Sequence, residues 1–130
     1  MIVVDASVLA VALGEDGTQG SVARQRLRGE VLAAPELIDP EVLSVFRRFV
    51  GSGLMTAERG EEAVTDLIDL PLRRMPHRLL LRRCWELRQN LTSYDACYVA
   101  LAETLEVPLL TGDRRVARIP GLRCTIEVLG

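Results

Sequence analysis

Four acidic residues far apart in the chain, Asp5, Glu41, Asp95 and Asp113, each lie against apolar sequence. Asp5 ends the β-branched run at residues 2–4, and a short apolar run closed by a polar residue reads as a buried strand. Asp113 follows VPLLTG, and Asp95 stands at the head of YDACYVALA, which is apolar on every side. Glu41 borders a helical face formed by Ile38, Val42, Val45 and Phe49. Carboxylates brought together repel one another, and burial raises their pKa values. A divalent cation removes that penalty. With one histidine, His77, and three scattered cysteines, an oxygen-only ligand set favours Mg2+ or Mn2+ over Zn2+. Mg2+ keeps several waters and takes its remaining ligands from phosphate, so Asp5 reads as a metal ligand held at the end of a rigid strand. Each acid also has a structural alternative. Asp5 and Asp113 have the character of N-caps, and Asp95, behind Ser93, complements a helix N-terminus. Asp39-Pro40 reads as the N-cap and first position of the helix that carries Glu41.

The elements that must hold these groups alternate. Strands are expected at residues 2–4, 31–34, 71–75 (edge-like), 107–111 and 123–128. Helical pattern falls at 7–13, 20–28, 37–51, 56–68, 77–89 and 93–105, with a short helix at 113–118. Such alternation indicates a parallel sheet covered on both faces, an α/β fold. Right-handed crossovers send each strand up and the following helix down, and ligands of open α/β sheets bind beyond the carboxyl ends of the strands. Asp5 and Asp113 end strands at that edge. Glu41 and Asp95 lie in the first turns of helices that start there. Topology alone therefore gathers all four acids.

The 130 residues suit one domain, 1–130, without repeats or linkers. No apolar run approaches the ~18 residues of a membrane span, and Asp5 interrupts the first apolar stretch, so neither a membrane segment nor a signal peptide is expected. Cys84, Cys97 and Cys124 form no CxxC pair and read as reduced thiols of a cytoplasmic protein. His77 reads as a surface residue. All sixteen basic residues are arginine, which excludes a P-loop lysine, a Schiff base and a receiver-domain lysine. The net charge of −2 is uneven. Residues 1–70 hold twelve acids and six arginines, net −6, whereas residues 71–90 hold six arginines and one acid, net +5. The basic stretch is either a phosphate- or acid-facing surface or a solvated helix face.

IVVDAS, PELIDPEVLSVFRR, LTSYDACYVALAETL and PLLTGDRRVAR together resemble the four motif regions of PIN-domain ribonucleases, and more narrowly the VapC toxins of bacterial VapBC toxin–antitoxin pairs. The likeness spans essentially the whole chain. It implies a three-layer domain with a five-stranded parallel sheet of order 3-2-1-4-5, and cytoplasmic RNA cleavage dependent on Mg2+ or Mn2+. A VapB-type antitoxin and a homodimer are also implied. Residue by residue it makes Asp5, Glu41, Asp95 and Asp113 the catalytic and metal-binding acids, with Ser7 and Thr111 as accompanying hydroxyls. The stretch RRVARI has no further acid after the fourth motif, so no fifth ligand is assigned, and Asp39 is a substitute ligand if the Glu41 helix is rotated.

In this scheme Asp5 and Asp95 hold the cation mainly, and Glu41 and Asp113 act directly or through water. Arg114, Arg115 and Arg48 are candidate RNA contacts. Trp85 is expected to pack against a neighbouring element, with base stacking or a protein interface as alternatives. Rival readings keep the fold but make the chain an RNA-processing nuclease outside a toxin–antitoxin pair, or a PIN scaffold without catalysis. A haloacid-dehalogenase phosphatase would need an acid where Ser7 stands, and a lysine.

Overall fold

A computed structural model describes residues 1–130. Its five strands form one parallel sheet of order β3-β2-β1-β4-β5. They are β1 (Ile2–Val4), β2 (Leu32–Pro35), β3 (Leu72–Met75), β4 (Leu109–Thr111) and β5 (Ile126–Val128). The helices are α1 (Ala6–Gly14), α2 (Thr18–Leu27), α3 (Ile38–Gly51), α4 (Ala57–Asp69), α5 (Leu81–Glu86) and α6 (Ser93–Leu105). Strands β1, β2 and β4 are buried along their whole length, as expected of parallel strands covered on both faces. Helix α1 packs on α2, α3 and α4, whereas α6 lies across β1, β2 and β4 and is covered by α5. Seven consecutive residues of α6, Ala96 to Ala102, are buried. Burying a large aliphatic side chain contributes about 1.5–3 kcal/mol, so Ile2, Val3 and Val4 of β1 and Val99 and Leu101 of α6 anchor these two elements in the core.

Register sets the heights at the carboxyl edge. Val3 pairs with Leu109 and Val4 with Leu110. The next step aligns Asp5 with Thr111, and the Asp5 N–H donates to the Leu110 carbonyl at 3.1 Å.

Several elements differ from their sequence expectations. The stretch 77–89 is a 3-10 turn, Arg78–Leu80, followed by the short α5. It closes early because Leu87 and Leu91 turn inward to the core. The expected helix at 113–118 is a 3-10 turn at Val116–Arg118 only, since the Asp113 carboxylate takes the Arg115 N–H and holds the preceding residues in a turn. The last strand is confined to Ile126–Val128, and α2 starts earlier, at Thr18. Helix α3 begins at Ile38, which puts Pro40 inside the first turn, where its missing N–H costs no intrahelical hydrogen bond. Asp39 is not its N-cap; its Oδ2 accepts from Arg74 Nε of β3 at 2.7 Å. His77 is exposed, as expected.

Candidate active site at the carboxyl edge of the sheet

Asp5 is the best-held of the four acids. Its Oδ1 accepts from the Ser7 hydroxyl at 2.6 Å and from the Val8 N–H at 3.1 Å, so it does serve as the N-cap of α1. Its Oδ2 accepts from Thr111 Oγ1 at 2.5 Å. Thr111 is the only fully buried polar side chain, and its hydroxyl also accepts from the Asp113 N–H at 3.0 Å. Ser7 Oγ accepts in turn from the Gly112 N–H at 3.1 Å. A Cβ on residue 112 would stand 3.1 Å from that same oxygen, a tight contact that the Ser7 side chain would have to ease by a few tenths of an ångström. Both hydroxyls proposed from sequence thus grip one carboxylate.

Glu41 lies in the first turn of α3, half-buried, and its Oε1 accepts from the Tyr98 phenol of α6 at 2.6 Å. Asp95 lies in the first turn of α6, whose N-cap Thr92 accepts from the Asp95 N–H at 3.1 Å. Asp113 accepts from Arg115 Nε at 3.1 Å and Nη2 at 2.9 Å.

The charges of these groups feel one another. Burial raises the pKa of Asp5 above the ordinary range; the hydrogen bonds from Ser7, Thr111 and Val8 pull it down, and the charge of Asp95 pushes it up. Burial also raises Glu41, with Tyr98 opposing and Asp95 and Asp5 adding. Asp95 is raised by burial and by Asp113, against Thr92 and Arg115. Asp113 alone is lowered, by the hydrogen bonds of Arg115. The acids therefore form one electrostatic unit, with Arg115 at its outer edge.

No three of the acidic, histidine or cysteine side chains close on a common point at metal-ligand spacing. Internal donors occupy the carboxylates instead: hydroxyls on Asp5, a phenol on Glu41, a guanidinium on Asp113. The donor set still fits a hard divalent cation. It is all oxygen, burial makes Asp5, Glu41 and Asp95 resist ionisation without a counter-charge, and Mg2+ needs only one or two protein carboxylates because it retains its waters. Asp39, the substitute ligand of a rotated helix, is paired with Arg74. Its second oxygen, Oδ1, is buried without a partner.

The remaining candidates separate. Arg48 is exposed and pairs with no acid. Arg114 donates to the Gly130 carbonyl at 3.3 Å. Arg115 is not a free phosphate contact, because its guanidinium lies along Asp113. The largest cavity, about 780 Å3, is at the opposite edge, between Arg83, Glu103, Pro108 and Arg123. None of Asp5, Glu41, Asp95 and Asp113 lines it.

The sequence profile of the PIN domain matches residues 2–122. The chain is 44% identical over 128 residues to ribonuclease VapC1 of Mycobacterium tuberculosis, a match covering 98% of this chain and 96% of that one. The chain belongs to the PIN-domain family, in its VapC branch. Two solved structures share the fold of this VapC-family chain. VapBC2 from Rickettsia felis, bound to a promoter DNA fragment, superposes with a TM-score of 0.70 at 14% identity over all of both chains. A toxin–antitoxin complex from Klebsiella pneumoniae does so with a TM-score of 0.66 at 20% identity, over 98% of this chain and 97% of that one.

Two features of this VapC-family site escaped the sequence. Tyr98 resembled one more apolar position of a buried helix. The signal was its place one turn after Asp95, on the same side of α6. The Asp113–Arg115 pair was hidden because Asp113 reads as a metal ligand or N-cap and Arg115 separately as an RNA contact at the rim.

Proposed function

We propose that this chain is the toxin of a type II toxin–antitoxin pair, a metal-dependent endoribonuclease that hydrolyses RNA phosphodiester bonds. Its 44% identity to a protein named ribonuclease VapC1 over nearly the whole length supports the activity. The observation that carries the reading is the convergence of Asp5, Glu41 and Asp95 at one strand edge, with Thr111 and Ser7 donating to Asp5 and Tyr98 of the Asp95 helix donating to Glu41, and with burial raising the pKa of each acid. Asp5 and Asp95 hold Mg2+ or Mn2+, with Glu41 and Asp113 as further ligands, direct or through water. A divalent cation bound there supplies the acidity that makes water a nucleophile and the positive charge that stabilises the leaving oxygen. Ser7 and Thr111 keep Asp5 in one rotamer. Tyr98 ties Glu41 to the helix that carries Asp95. Arg115 shields Asp113 until substrate phosphate competes for its guanidinium, and Arg114 and Arg48 add contacts at the rim.

The partner is a VapB-type antitoxin, in line with the Klebsiella toxin–antitoxin complex that shares the fold. The chain works in the cytoplasm. It dimerises through apolar side chains left exposed on α3, α4 and the turn between them, including Leu43, Leu54 and Ile68. No helix is long and apolar enough to cross a membrane.

Total cellular RNA incubated with the purified protein tests the activity. Discrete fragments are expected with Mg2+ or Mn2+, and none with EDTA or in the Asp5→Asn variant. Folded protein that neither cleaves RNA nor binds Mn2+ in calorimetry would leave only a PIN scaffold.

A further inference from the structure

The basic stretch 71–90 is not used by the carboxylate edge, and α5 shows what it exposes. Trp85 is 68% exposed rather than packed as the sequence suggested, and Leu81, one turn earlier, is 52% exposed. The Arg88 guanidinium lies over the Trp85 ring, 4.6 Å from its centroid, and donates to the Trp85 carbonyl at 2.9 Å. Arg82 lies three residues before Trp85 within α5, Arg78 sits in the preceding 3-10 turn and Arg88 just past the end of α5, so Arg78, Leu81, Arg82, Trp85 and Arg88 are all exposed along one short stretch, the α5 flank. None of these three arginines pairs with a carboxylate. The one acid in the stretch, Glu86, is neutralised by Arg83, which also holds Glu103.

We infer that this flank is a second contact surface for single-stranded RNA, with a base stacked on Trp85 and backbone phosphates gripped by Arg78, Arg82 and Arg88. Unpaired cations around an exposed aromatic ring are the combination that binds single strands without reading sequence. The flank also leads to the candidate site. Arg83 meets Glu103 in the last turns of α6, and Cys84 Sγ lies 3.7 Å from Cys97 Sγ near its middle. The chain then passes the buried Leu87 and Leu91 into Ser93, one turn from Asp95. A strand cut at the carboxylate edge thus has a path down α5. A second copy of this chain meeting the flank about a two-fold axis would set arginines against arginines. An anionic polymer neutralises them.

This inference rests on the ribonuclease reading, and the test separates the two. Trp85 is the only tryptophan, so its fluorescence reports stacking directly. A uridylate oligomer of about 12 nucleotides, long enough for such a surface, is titrated into the wild-type protein in EDTA. A saturable, salt-sensitive loss of Trp85 emission is expected, which inorganic polyphosphate reverses without itself quenching. In cleavage assays with Mn2+, replacing Arg78, Arg82 and Arg88 together by Ala raises KM about tenfold, and the slope of log KM against log salt falls by about 2, at ~0.7 per phosphate contact. Trp85→Phe retains part of the binding and Trp85→Ala loses it, the loss falling on KM rather than kcat. RNA that binds by anisotropy of a label while Trp85 emission stays constant overturns the proposal. So does an unchanged KM and salt slope in the triple variant. A triple variant that keeps its KM for RNA but loses its VapB-type antitoxin overturns it too, and assigns the flank to protein. If the wild-type protein cleaves no RNA, the nuclease reading fails by itself, while quenching in EDTA still decides the flank.

Discussion

At the scale of single residues, the site is built from carboxylates that already have partners. Asp5 accepts three hydrogen bonds, and it remains raised in pKa because burial outweighs them. Glu41 depends on one, from Tyr98. Charge-assisted bonds of this kind contribute about 1.5–3 kcal/mol, and groups that orient metal ligands typically change metal affinity ~10–100-fold when removed. Tyr98→Phe keeps the buried ring and deletes only the donor. It is expected to weaken Mn2+ binding about tenfold in calorimetry. In a Glu41→Gln background the same change should have little further effect, because the group it positions is already lost. Equal effects in both backgrounds would mean that Tyr98 only fills the core.

At the scale of elements, each acid is placed by a strand end or a helix start. Elements with unbroken periodicity were legible from sequence. The run Ile2–Val4 is β1, and the continuous apolar pattern after Ser93 is α6, buried as expected. Where tertiary contacts override local pattern, legibility failed. The pattern at 77–89 has helical spacing, yet the inward turn of Leu87 and Leu91 ends α5 at Glu86. Trp85 followed the same logic: its spacing could be read, but whether another element covered it could not. The junction of α1 and α2 carries the sharpest steric constraint. A Cβ on Gly20 would lie 1.7 Å from the Glu15 carbonyl oxygen, where Arg24 also donates at 2.8 Å. Backbone cannot yield as a side-chain tip can. Gly20→Ala should therefore cost about 3 kcal/mol, seen as a lower midpoint in urea. An unchanged midpoint would mean that α2 slides freely on α1.

At the scale of the whole molecule, the acids couple folding to protons and metal. Asp5, Glu41 and Asp95 have folded pKa values above their ordinary ones near 4. Just above that range the folded chain binds more protons than the unfolded chain, so these groups lower stability as pH rises. Asp113, Glu103 and Glu127 are shifted down by their arginines, and the stability they add is lost as pH falls through their folded values. The metal-free protein should accordingly melt highest in mildly acidic solution, at about pH 5, and lower at about pH 7. Mn2+ should raise Tm most at the higher pH, where it neutralises the carboxylates. Melting curves with and without Mn2+ check this; a metal-free Tm that climbs steadily toward neutral pH would contradict it.

Sequence by itself determined the α/β class, the edge at which the acids arrive, and the identity of those acids, because alternation and crossover handedness are local rules with global consequences. The tertiary structure decided which distant donor meets which acid: Thr111 on Asp5, Tyr98 on Glu41, Arg74 on Asp39. The reason is range. A side chain's element follows from its neighbours in the chain, whereas a hydrogen bond of 2.5–2.7 Å between residues 35 to 106 apart depends on the register and packing of everything between them.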